Sequence, residues 1–332
     1  MKSVLKENLD VFDITKFIMG FMVVGIHTLG RYGIYPLFRI AVPIFFMISS
    51  YLFFSRDGEN ISHLKKFCIR NIRLYAFWFI ILSPVFLISG RYLEGNLIFN
   101  FFKLIIRFLF GSTFSASWFI VALIIGTGFI FVLRKLNMDI HIILLLTFII
   151  YVLCCLNSNY RNLFADNSAI LLVNKIYPGT IYNGFPVSLF WIALGCYFSK
   201  RSQCYNKKKT LIGLIISFVL LLCEYSVVTI FQLTVDNDCY FMLIPTCYFL
   251  FDILLNFKWK SSCAKIFRKF STIIYCVHGS IAVIVGELCI KGSNFVDSIS
   301  KFLIVCILSL LIACLICLLE KIKLFKWIKY SY

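Results

Sequence analysis

Apolar residues run through this chain in blocks near 20 residues long, separated by short polar and basic stretches. About 20 residues at 1.5 Å rise reach across a hydrocarbon slab of roughly 30 Å, so each block is a predicted membrane helix. Ten spans are predicted: 10–30, 39–55, 72–90, 117–134, 139–156, 184–200, 210–231, 239–257, 271–290 and 297–319. One apolar block breaks the pattern. Between the third and fourth spans, Asn96, Asn100, Lys103 and Arg107 form a polar stripe at helical spacing. That pattern predicts an interfacial helix over Leu97–Phe110, lying on the outer face. The expected fold is an all-α, polytopic membrane helix bundle. It is read as one integral membrane domain over residues 1–332, with no separate soluble domain and no cleavable signal peptide.

Composition supports the same class. The chain is 61% hydrophobic and 14% charged, more apolar than a soluble domain of its length needs. Its formal charge of +18 first reads as a topology signal. If both termini are cytoplasmic, 24 of the 33 Lys and Arg residues fall in the inner segments. Loops rich in Lys and Arg stay inside, so the termini are predicted to be cytoplasmic. Basic loops beside anionic lipid account for the charge, and nucleic acid is not an expected partner. The 14 cysteines are scattered along the spans. Even the Cys314/Cys317 pair lies inside an apolar helix, so they read as small buried hydrophobes and no metal is expected.

Polar residues inside spans are the candidates for chemistry. In the first span, Asp13, Lys16, Gly20 and His27 share one helical stripe. Lys16 and His27 are eleven residues apart, which places His27 about 16 Å deeper. An ionisable residue at that depth is either functional or polar glue between helices. Glu224, inside the seventh span, is expected to be paired with a basic group or protonated. His278, in the ninth span, is placed about 10 Å from the inner face and is a second candidate. Pro43 is expected to kink the second span, and Arg39 at its outer end to snorkel to the interface. Arg70 and Arg73 lie at i, i+3 on one face. They suit bidentate phosphate capture, and equally an ordinary positive-inside flank. The long outer loop Asn157–Asn183 includes Asp166, Tyr177 and the Pro178–Gly179 turn, and its Asn and Tyr content suits a sugar surface.

Taken together, these stretches resemble the acyltransferase 3 family of integral membrane proteins, which modify cell-surface glycans. Lys16 and His27 match the family's basic-x10-His pattern. RIAVPIFFMISSYLFF resembles its second-helix block, with Ser50 where Gly is usual. Arg70 to Arg73 match its RxxR motif, Trp118-Phe119 its WF pair, and Ser271, Tyr275 and His278 its S-x3-Y-x2-H block. Order and spacing agree from Asp13 to His278.

The resemblance implies transfer of an acyl group, usually acetyl, from cytoplasmic acetyl-CoA to a sugar hydroxyl. The acceptor would be a cell-surface glycan or a lipid-linked saccharide, and the site the cell membrane. Arg70 and Arg73 would take the donor's phosphates, with Lys16 at the donor entrance. His27 would be the general base, or would carry the acyl group itself. Asp13 would orient Lys16, and His278 would help polarise the thioester. Many such relatives carry a soluble domain fused at the C-terminus, which here would be a separate partner. Whether copies associate as a homo-oligomer stays open. Two other classes stay open as well: a transporter or flippase for a lipid-linked oligosaccharide, and a glycan polymerase.

Overall fold

A computed structural model describes residues 2–30, 34–57, 60–88, 114, 117–164, 167–168, 170–172, 180–201, 206–234, 236–290 and 294–332. Among these residues the secondary structure is helical throughout. In chain order the helices are α1 (Lys2–Thr28), α2 (Tyr35–Phe38), α3 (Ala41–Asp57), α4 (Ile61–Ile88) and α5 (Ser117–Lys135). They continue as α6 (Ile140–Asn157), α7 (Phe185–Lys200), α8 (Lys207–Ile230), α9 (Leu243–Asn256), α10 (Ala264–Leu288) and α11 (Phe295–Leu319). A 3-10 segment, Lys323–Ser331, follows.

Each of the ten predicted spans overlaps a helix. Six stretches are both long and apolar enough to cross a membrane: Tyr35–Arg56, Ser117–Lys135, Ile140–Asn157, Lys207–Ile230, Ala264–Leu288 and Phe295–Leu319. Helices α7 and α9 are apolar but shorter. The predicted interfacial helix over 97–110 lies outside the described residues, as do Asp166, Tyr177, Pro178 and Gly179.

The chain divides into two compact units. The first contains Met1–Phe12, Pro36–Lys65 and Ala122–Lys260; the second contains Asp13–Tyr35, Lys66–Val121 and Ser261–Tyr332.

In the first unit α7 is the central helix. Its residues from Pro186 to Cys196 are all buried, as a helix apolar on every side requires. It packs on α3 and α6. Gly195 permits the close approach to α3: a Cβ there would lie 2.6 Å from the Met47 carbonyl oxygen. Ser50 faces this glycine with its hydroxyl turned back onto the Phe46 carbonyl at 2.9 Å. A small residue on α7 thus makes room for serine at the family's glycine position. Pro43 does not kink α3. It falls in the helix's first turn, where a backbone N–H has no intrahelical partner to lose.

One sequence expectation is corrected in this unit and another is narrowed. Glu224 has no basic partner among the described residues. Its carboxylate accepts hydrogen bonds from the Tyr160 hydroxyl at 2.6 Å and from the backbone N–H groups of Phe241 and Met242, each at 2.7 Å. Three donors stand where one of the two expectations put a cation. Arg39 does not snorkel outward but pairs with Asp238, which also accepts from Asn183. Tyr182 donates to Asp236 at 3.0 Å; burial first, then this bond, pushes its hydroxyl pKa up to about 12.

The second unit is built on α10, which packs on α11. Its run from Ile273 to Ala282 is buried. Trp78 of α4 is buried at 1% exposure and satisfies its indole N–H on the Ser331 carbonyl at 3.0 Å. The C-terminal segment is thereby fastened to α4.

Candidate active site

Within the second unit, α1 and α10 run side by side in the same direction. Asp13 meets Arg268, Phe17 stacks on Phe267, Gly20 faces Ser271 and Ile274, and His27 meets His278. Residue numbers rise together on both helices, so the pair is parallel. Gly20 lies at this contact without being required by it: a Cβ there would sit 3.7 Å from Ile274, at ordinary van der Waals distance. The polar stripe predicted on α1 therefore has a counterpart on α10, made of Arg268, Ser271, Tyr275 and His278.

The stripe has two chemically different ends. At the first, Asp13 is buried at 7% exposure, 3.8 Å from the Arg268 guanidinium. Lys16 stands in the field of Asp13, Arg70 and Arg268. Three cations around one carboxylate leave a net positive locus, complementary to an anion. Asp13 thus faces two cations, Lys16 and Arg268. Arg70 and Arg73 are both exposed on α4. Asn71, between them, is buried and donates to the Phe67 carbonyl at 2.9 Å, which points it away from any ligand role. Arg73 lies over the Tyr330 ring, 5.9 Å from its centroid.

At the other end, the His27 and His278 rings are 5.1 Å apart between centroids. His278 is fully buried, and its Nδ1 lies 2.7 Å from the Tyr275 carbonyl. A carbonyl accepts only, so Nδ1 carries the proton and Nε2 of the neutral ring keeps its lone pair. That Nε2 is buried and has no hydrogen-bond partner among the described residues. His27 is the exposed member of the pair. Tyr275 lies 5.9 Å from His278 and 5.2 Å from Phe119, which joins the WF pair to this end.

Sequence reasoning set the two histidines at different depths, and the structure brings them together. The reason is where α10 begins. It starts at Ala264 and not at 271, so His278 lies about 21 Å along the helix. Arg268 is one of the 24 Lys and Arg residues that the sequence places in the inner segments, with no site role expected of it. The available signal was its register: three residues ahead of Ser271, it extends the S-x3-Y-x2-H stripe by one turn.

Comparison with known proteins places this geometry in context. Residues 9–318 match a family model described as an acyltransferase domain. An "Amino-acid racemase" of Enterococcus faecalis is 24% identical over 338 residues, covering 96% of this chain and 47% of the relative. A second protein of that name and species is 27% identical over 266 residues, covering 76% of this chain and 37% of the relative. A "Serine/alanine racemase" of Enterococcus gallinarum is 24% identical over 328 residues, covering 90% and 45%. The chain spans less than half the length of each of these relatives. No solved structure matches.

Proposed function

The chain belongs to the acyltransferase 3 family and is a membrane acyltransferase, and from that premise we propose that it moves an acetyl or other short acyl group from cytoplasmic acyl-CoA to a sugar hydroxyl of a cell-surface or lipid-linked glycan. The observation that carries the proposal is the pair of parallel stripes on α1 and α10. A cation-rich end and an imidazole pair are separated by about 16 Å along α1. An acyl-CoA has the same layout: anionic phosphates at one end, an extended pantetheine arm, and a thioester at the other.

Arg70 and Arg73 hold the donor's phosphates through charge-assisted hydrogen bonds, and Lys16 with Arg268 guides the arm inward. His27 accepts the proton of the acceptor hydroxyl. The freed oxygen attacks the thioester carbonyl, the carbon–oxygen bond forms, and the carbon–sulfur bond breaks. The coenzyme leaves as a thiolate, which takes a proton from the medium or from His27. His278 lies against the His27 ring, 5.1 Å between centroids, and positions that ring by this contact.

The proposed topology is ten spans with both termini cytoplasmic, in the cell membrane. The parallel α1–α10 pair supports it, because that scheme puts seven crossings between them. A flippase would need no thioester site and no general base beside it. The racemase names belong to proteins more than twice as long as the shared stretch, and racemisation is no part of this proposal.

The test is donor binding by the purified full chain in nanodiscs. Acetyl-CoA should bind, and Arg70→Ala should weaken it by about one to two orders of magnitude, the loss of a charge-assisted contact of roughly 1.5–3 kcal/mol. Arg70→Lys should recover only part, since a point charge cannot reproduce the guanidinium fork. Wild-type affinity in both variants would reduce this arginine to a topology signal.

A further inference from the structure

The family match ends at residue 318, yet the structure continues into a segment fastened on two sides. On α4, Trp78 donates to the Ser331 carbonyl and Phe77 packs on Trp327 at 5.6 Å. On α10, Lys269 donates to the Tyr332 hydroxyl at 2.7 Å and to Glu320 at 2.6 Å. Tyr332 closes the triangle by donating to Glu320. Lys269 is the immediate neighbour of Arg268, the residue that meets Asp13.

This fastening gathers two cations on one aromatic ring. The Arg73 guanidinium lies 5.9 Å from the Tyr330 centroid, and the Lys329 ammonium 5.2 Å from it. Among the described residues neither cation has a carboxylate partner. Both side chains are exposed. Two like charges on one ring repel each other unless an anion joins them. A ring satisfies only the face of a guanidinium, and leaves the N–H edges directed elsewhere. Phosphate takes those edges. The arrangement of ring beneath and fork outward is therefore suited to a phosphate that also reaches a flexible ammonium.

We propose that the segment Lys323–Ser331 is part of the donor site, with Tyr330 positioning Arg73 and Lys329 adding a second cation for the same phosphate group. The inference rests on the assignment of the donor phosphates to the α4 arginines.

The experiment titrates coenzyme A into the full chain in nanodiscs, with Arg73→Ala, Tyr330→Ala, Tyr330→Phe, Lys329→Ala and the Arg73→Ala/Tyr330→Ala double variant. Tyr330→Ala should weaken binding about two- to five-fold, the worth of an exposed cation–π contact. Tyr330→Phe keeps the ring face and should bind within about two-fold of wild type. Lys329→Ala should weaken binding and flatten its salt dependence. The double variant should bind no worse than Arg73→Ala alone, since the tyrosine acts through the arginine. Additive losses would overturn the positioning role. Wild-type affinity in Tyr330→Ala and Lys329→Ala, with Arg73→Ala weakened, would overturn the inference and leave the donor site standing. Wild-type affinity in Arg73→Ala would overturn the inference, and wild-type affinity in Arg70→Ala as well would overturn the donor site with it.

Discussion

The substitution His27→Gln separates chemistry from packing. His27 is the exposed histidine, and its neighbour His278 offers a buried lone pair on Nε2. A glutamine amide can still donate to that lone pair and accept from a sugar hydroxyl. It cannot take a proton near neutral pH. Loss of a general base typically costs about 10²–10⁴-fold in rate, or roughly 2.7–5.4 kcal/mol on the barrier. The packing cost is far smaller, because polar contacts between membrane helices average about 0.6 kcal/mol. His27→Gln and His27→Ala should therefore be equally inactive and equally well inserted. The assay is acetyl content of surface glycan in cells carrying each variant, normalised to membrane-inserted protein. Near-normal acetylation with glutamine at 27 would refute the base assignment and move it to His278.

Further outcomes follow from the packing and the charges. Gly195→Ala drives a Cβ to within 2.6 Å of a backbone oxygen on α3 and should cost about 1–3 kcal/mol in detergent melting. Gly20→Ala meets Ile274 at 3.7 Å and should melt like wild type; equal losses would mean that the close approach at Gly195 is not what limits packing. The bond from Lys269, then that from Tyr332, holds the Glu320 carboxyl below its ordinary value of 4.5. A lowered carboxylate pKa stabilises the folded form above the ordinary value and loses that contribution as pH falls through the lowered one. Acidification below about 4.5 should thus expose the C-terminal segment to proteolysis, and Glu320→Gln should already be sensitive at neutral pH. Reporter fusions after Lys209 and after Ser168 should report the cytoplasm and the exterior respectively; the reverse, or equal signals, would end the ten-span scheme.

Helices were legible because apolar blocks carry their own length and period. The α1 stripe was legible for the same reason: Asp13, Lys16, Gly20 and His27 fall on one face by arithmetic alone. What the sequence could not show was which helix would lie against that face. Arg268 looked like any basic residue near a membrane boundary, because nothing local distinguishes a flank from a partner for Asp13. The stretch before Ser271 is polar and basic, and so read as a loop; packing made it the first two turns of α10. That shift alone moved His278 to the level of His27. The partners of Arg39 and Glu224 were hidden for a related reason. A charge in an apolar block needs satisfaction, but its donors come from elsewhere: Tyr160, the Phe241 and Met242 backbone, and Asp238.

The parallel pairing of α1 with α10 also sets an order of assembly. Asp13 leaves the ribosome 255 residues before Arg268. At about 5–20 residues per second, the wait is roughly 13–51 s. Throughout it α1 carries a carboxylate, an ammonium and an imidazole without the helix that will lie against them. Every helix from α2 to α9 is made before the site can close. A nascent chain stalled at α9 would present to membrane quality control a first helix whose polar face is still unmatched.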